Sequence, residues 1–323
     1  MKKIIIGIHG LGTKPPKMLL KRWWRKAIEE GLERISKPAH TVPFEMVYWA
    51  DIVHEKSEKP WIRNKDNPLY LDEPYRKAAA SAVKKDKPFR SKVYKYLETQ
   101  LDKIFLNKDF SLNLEGVTDK ILSRYFQDLN LYYSGGPEVR QAIQNRLLKV
   151  LESHKDNEIL LICHSMGSII AYDVLTGAGK DYRIQTLVTI GSPLGLPVVV
   201  GRIFAAQKQA DPETALPRAP ENVLNSWFNL SDTEDNVALD HTLYDDYAAN
   251  SSGVRAQDID VYNDYKMNGL RNPHKCYGYL RTPELADIIN TFLEREAARG
   301  IYKSFLNIFS RLKQPFVNTF LQQ

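Results

Sequence analysis

The sequence predicts an α/β architecture, a doubly wound and mostly parallel sheet, from three observations. Its strand-length apolar runs, "KKIIIGI" at the start, "EILLIC" from Glu158 and "IQTLVTI" from Ile184, are continuous rather than alternating, the pattern of strands covered on both faces. Segments with helical spacing separate strand-like segments, as parallel pairing requires. Two of the runs end in short glycine-containing knots, "HGLG" and "CHSMG", where such a sheet turns from strand towards helix.

The elements follow in chain order. After the first strand and the turn "HGLGTKPP", residues Leu20, Trp24, Ala27, Ile28, Leu32 and Ile35 recur at helical spacing between Met18 and Ile35. The segment "FEMVYWA" beyond Pro43 reads as the second strand. From about residue 52 to residue 136 the alternation stops. Patterns such as "VYKYLETQLDKIFL" and "VTDKILSRYFQDLNLYY" predict a helical cap inserted there, with the basic run "KKDKPFRSK" from Lys84 as its solvated face. Alternation resumes with a helix over Pro137–His154, built on Val139, Ile143, Leu147, Val150 and Leu151. Then come "EILLIC", a helix from about Met166, "IQTLVTIG", a proline-rich connection and the strand "VLNSWFNL". A last strand, "DIDVYNDY", precedes a closing helix over Pro283–Ala298. One domain therefore spans residues 1–298, and residues 299–323 form an amphipathic tail with Ile301, Phe305, Ile308, Phe309 and Leu312 on one helical face. That face suits docking on the domain, the cap or a second subunit; the rival reading is contact with an anionic membrane.

At 323 residues and 43% hydrophobic content, the chain can bury a large core and is not globally disordered. Its apolar start is too short for a signal-peptide core, and no run reaches membrane-span length. A soluble, cytoplasmic protein is expected, with peripheral membrane contact as the further location. Two cysteines, Cys163 and Cys276, make neither a disulfide framework nor a zinc pattern. The formal charge of +6 is modest for this length. It allows weak attraction to anionic surfaces, and no nucleic-acid partner is expected. Oligomeric state is not legible in these residues.

The knot at Ser165 carries the chemistry. A strand, a serine in a sharp turn with small residues two places to either side, and then a helix make a nucleophile elbow. Cys163 and Gly167 hold the flanking places. The turn lifts the serine hydroxyl off the sheet edge and aims the helix N-terminus at it, so the Met166 amide can donate to a developing oxyanion. The glycine turn after the first strand offers a second donor, the Leu11 amide, with His9 as an anchor of that loop.

A nucleophilic serine needs a base and an orienting acid, which in this architecture follow in the order acid, then histidine. In "SDTEDNVALD", Asp232, Glu234, Asp235 and Asp240 compete, and Asp232 and Asp235 are best placed just past a strand end. His241 follows them too closely to leave room for another strand. His274, after "DIDVYNDY" and before the closing helix, is the expected base. The acids Asp258, Asp260 and Asp264 lack the spacing of a calcium loop and are read as surface groups.

Together these residues resemble the α/β-hydrolase superfamily, in its lipase and esterase branch, over residues 2 to about 50 and about 137 to 298. "CHSMGSIIAYDVL" looks like the elbow of intracellular lipases with an H-S-M-G core, with Cys163 in place of the usual first glycine. "VTIGSPLGLP" is similar to the G-S-P segment of DDHD-type phospholipases and GPI inositol-deacylase-like lipases. "DNVA" resembles their D-P-V-A segment, with Asn236 for proline, and this implies Asp235 rather than Asp232 as the acid. His274 with Tyr277 resembles their H-x-x-Y. The resemblance implies hydrolysis of a small-molecule or lipid ester by a Ser165–Asp235–His274 triad through an acyl-enzyme, with no metal and no organic cofactor. A thioesterase or acyltransferase would use the same triad, and a catalytically silent member would keep the fold while binding membranes or proteins.

Overall fold

The computed structural model of the chain describes residues 2–38, 42–78, 129–238 and 241–295. The N-terminal isoleucine run is β1 (Lys3–Ile8), which leads through α1 (Lys17–Arg34) to β2 (Phe44–Val47) and the short α2 (Ala50–Val53). After a helical segment at 129–134 come α3 (Pro137–Ser153), β3 (Glu158–His164), α4 (Met166–Thr176) and β4 (Ile184–Ile190). The chain continues through α5 (Pro197–Ala210), β5 (Val223–Ser231) and β6 (Ala256–Asp260). A two-stranded hairpin, β7 (Lys266–Met267) with β8 (Leu270–Arg271), then α6 (Cys276–Leu280) and α7 over 283–295 complete it.

The sheet order is β2-β1-β3-β4-β5-β6, and every neighbouring pair is parallel. This is the doubly wound parallel sheet that the apolar runs predict, and it is consistent with the α/β-hydrolase fold that the resemblance implies. Alternate side chains of each strand enter opposite cores, as a pleat demands. Ile4, Ile6 and Ile8 pack with Leu147, Ile169 and Val199 from α3, α4 and α5. Ile5 packs with Leu20, Trp24 and Ile28 of α1 and with Leu285 and Ile289 of α7. Each such fully buried aliphatic side chain contributes roughly 1.5–3 kcal/mol.

The layering also creates the crevice. β1 and β3 are neighbours, yet the chain leaves β1 towards α1 on one face and leaves β3 towards α4 on the other. The connections that leave their carboxyl ends therefore diverge to opposite faces, and this is where open α/β sheets place ligands.

Two elements differ from expectation. Helix α5 occupies the stretch read as a proline-rich connection; its β-branched run Val198–Val200 hides the helical pattern, but Pro197 is well placed at its first turn and Val199 and Ile203 are buried. The last strand ends at Asp260 rather than continuing to Tyr265. Beyond it the polar groups are committed elsewhere: Asn263 holds the carbonyls of Pro273 and Lys275, and Asp264 pairs with Arg34 and Arg281. The hairpin then turns on Asn268 and Gly269 at φ 52° and 81°. The cap helices expected before residue 129, the basic run from Lys84 and the tail 299–323 lie outside the described residues. Among the described residues, no helix is long and apolar enough to cross a membrane.

Candidate active site

Strand β3 delivers Ser165 to the crevice in a conformation that few residues tolerate, φ 53° and ψ −129°. Its N–H donates to Ile190 O at 3.1 Å, tying the turn to β4. Close packing explains the small neighbours. Cys163 sits in register between Ile8 and Thr189 and is fully buried, which pushes its thiol up and leaves it inert. A side chain at Gly167 would put its Cβ 2.7 Å from Ile8 O and 2.9 Å from His9 O. Any larger residue would drive α4 off the sheet.

The loop before α6 brings His274 over this serine. Its Nε2 lies 3.1 Å from Ser165 Oγ, and its Nδ1 lies 2.9 Å from each oxygen of Asp235. With Nδ1–H donating to the carboxylate, Nε2 is left to accept the serine proton. Asp235 stands in the turn after β5 and is buried. Val237 N–H donates to its Oδ1 at 2.9 Å, and the Tyr279 hydroxyl donates to its Oδ2 at 2.7 Å. Burial alone would raise the Asp235 carboxyl, but the charge and hydrogen bond of His274, with the bonds from Tyr279 and Val237, outweigh it and hold the group below the usual carboxylate range.

The other candidates are placed elsewhere. Asp232 accepts from Arg271 Nη1 at 2.7 Å and from Asn263 N–H at 2.7 Å, a paired structural carboxylate. Glu234 pairs with the same Arg271, and Asp240 lies outside the described residues. His241 meets β5 through its carbonyl, which accepts from Asn229. Asp258 accepts the N–H groups of Leu243 and Tyr244, so it closes a loop.

The β1–α1 turn lies against the serine from the other side. A Cβ added to Gly10 would stand 2.6 Å from Ser165 Cβ. His9 anchors this turn: its Nε2 accepts Trp49 N–H at 3.1 Å, its Nδ1 donates to Gly10 O at 2.7 Å, and its ring stacks on Trp49. Burial, then the nearby Lys14 ammonium, lowers His9 to about 3, so the ring is neutral. Leu11 follows, packed on the core that contains Cys163 and Met166, and the Lys14 ammonium donates to its carbonyl. Met166 opens α4, where the first N–H groups have no partner within the helix.

Several contributors were not singled out by sequence reasoning. Tyr279, rather than Tyr277, reaches the acid, and its oxygen also accepts Asp232 N–H at 2.9 Å. Tyr277 packs edge-on to Trp23 and Tyr75. Gly191 of the "GSP" segment, at φ 51°, makes room for the cluster: a Cβ there would lie 2.8 Å from Asp235 Oδ2 and 3.3 Å from His274 Nδ1. His164, quoted in the elbow but given no role, donates from Nε2 to His274 O at 2.8 Å. Burial first, and the neighbouring His274 second, hold it well below the ordinary imidazole value. Its signal was only its place beside the serine.

A protein-family model described as a PGAP1-like alpha/beta domain matches residues 120–258. The match spans Ser165, Met166 and Asp235, while Leu11 and His274 lie outside it. It supports the α/β-hydrolase superfamily and a hydrolase of lipase type. No curated protein matches the chain.

Proposed function

We propose that this protein is a serine hydrolase that cleaves a carboxylic ester of a small molecule or lipid. The observation that carries the reading is the unbroken hydrogen-bonded line from Ser165 through His274 to Asp235, set at a strained strand-to-helix turn. His274 Nε2 takes the Ser165 proton as Oγ attacks the acyl carbon, and Asp235 holds the tautomer and stabilises the imidazolium. The amides of Met166 and Leu11 receive the negative oxygen of the tetrahedral intermediate. Collapse expels the alcohol, which leaves with the proton from His274, and the acyl group remains on Ser165. Water, deprotonated by the same imidazole, then attacks the acyl-enzyme and releases the acid and free serine.

The lipase-type match and the "GSP" and "DNVA" resemblances support a lipid ester over a short soluble one. The test has two parts. A fluorophosphonate probe should label the wild type and not Ser165→Ala, and chromogenic esters of increasing acyl length should reveal the preferred chain. Full ester hydrolysis by Ser165→Ala would end the proposal.

A further inference from the structure

Within the insertion, residues 73–78 form a strap that is bonded to the domain beside the His274 loop. Pro74 O accepts the Tyr265 hydroxyl at 2.8 Å and Arg76 O accepts Arg281 Nη1 at 2.6 Å. The Tyr75 hydroxyl and the Ala78 N–H both donate to Glu30 at 2.9 Å. These contacts fasten the strap to α1, to Tyr265 beyond β6 and to Arg281 just past α6. Glu73 reaches further. Its Oε1 accepts from Asn272 Nδ2 at 2.6 Å and its Oε2 from Lys275 Nζ at 3.0 Å. Asn272 Oδ1 in turn accepts His274 N–H at 3.0 Å. One carboxylate of the insertion thus grips the chain on both sides of His274.

We infer that Glu73 is a positioning residue of the active site, holding the loop 272–275 so that the imidazole faces both Ser165 and Asp235. The inference rests on the triad proposed above. The loop's other restraints come from within the sheet domain: Asn263 Nδ2 binds Pro273 O and Lys275 O, and His164 binds His274 O. Glu73 alone among these three residues belongs to the insertion, so the insertion is coupled to the imidazole through this carboxylate. The charged and titratable groups that act on Glu73 are Lys275, His274 and Glu58, with Tyr265, Cys276 and Tyr277 also in electrostatic reach, while Lys14 and Asp72 act on Glu58. Burial acts to raise the Glu73 carboxyl, and Lys275, Asn272 and His274 together hold it below its ordinary range.

The experiment measures kcat and KM against pH for a short soluble ester, with wild type, Glu73→Ala, Glu73→Gln and Lys275→Met, and a thermal midpoint for each. Glu73→Ala should lose about tenfold in kcat with KM within about twofold, because misplacement affects the reacting geometry more than binding. Glu73→Gln should restore most of that kcat, since its amide oxygen still accepts from Asn272. Its acid limb should move down by about half a pH unit, because the Lys275 charge is left uncompensated beside the imidazole; Lys275→Met should move the limb up by a similar amount. If Glu73→Ala fails to fold, the limbs of the other two variants decide. Wild-type kcat in Glu73→Ala, or acid limbs unmoved in both Glu73→Gln and Lys275→Met, would overturn the inference. Activity that survives Ser165→Ala would instead overturn the triad, so the two failures are distinguishable.

Discussion

Substituting His9 by Gln should flatten the acid side of this protein's stability profile. His9 is buried and its ring is lowered from 6.5 to about 3, first by burial and then by the Lys14 charge, against a smaller opposing effect of the Gly10 carbonyl. In the unfolded chain the same imidazole titrates at its ordinary value. Between about 6.5 and 3 the unfolded state therefore binds a proton that the folded state refuses, so stability is full above 6.5 and falls as the pH drops towards 3. Each pH unit in that window costs about 1.4 kcal/mol. From neutrality to pH 4 the loss from His9 alone is roughly 3 kcal/mol, a large share of the roughly 5–15 kcal/mol that holds a typical protein folded. Gln can accept from Trp49 N–H and donate to Gly10 O without titrating. Urea unfolding at pH 7, 6, 5 and 4 for wild type and His9→Gln measures the difference. His164 and the carboxylates are common to both proteins and cancel. The variant should be less stable at pH 7, where it loses the stack on Trp49, and should close that gap as the pH falls. Parallel loss of stability in the two proteins would refute the reasoning.

Ser165→Gly and Ser165→Ala should both be inactive, but the glycine variant should be more stable by about 1 kcal/mol. Relief of the strain at φ 53° is worth roughly 1–3 kcal/mol and exceeds glycine's added chain entropy; equal denaturant midpoints would show that the elbow stores no strain. Asp235→Asn should cut kcat by about 10⁴-fold through the wrong imidazole tautomer. Asp232→Asn should leave kcat within about tenfold and instead cost about 1–3 kcal/mol of stability, since it weakens the Arg271 pair; a reversed order in steady-state kinetics would move the acid to Asp232. Tyr279→Phe should lower kcat several-fold and shift the acid limb of kcat/KM to higher pH, because a carboxylate relieved of one donor attracts the imidazolium more strongly. An unmoved limb would reduce Tyr279 to packing.

The parts of this molecule that were legible in the sequence are those governed by local constraint. Continuous apolar runs mark β1, β3 and β4 because strands buried on both faces admit little else, and helical spacing marks α1 and α3 because one face of each must enter a core. The turn at Ser165 is readable because its geometry excludes a side chain at Gly167. Helix α5 was hidden because burial of Val199 and Ile203 overrides the strand preference of its valines. Position alone leaves Asp232 and Asp235 open, and the resemblance of "DNVA" implies Asp235. Their partners belong to the tertiary structure: three residues apart in one turn, they meet Arg271 and His274 respectively, and the path of the chain beyond β6 sets which partner each meets. Tyr279 in place of Tyr277, the space kept open by Gly191, and the hold of Glu73 on a loop some two hundred residues later are of the same kind. Periodicity and turn chemistry act over a few residues, whereas these contacts exist only after parallel strands have been stacked in order and their carboxyl ends brought to one edge.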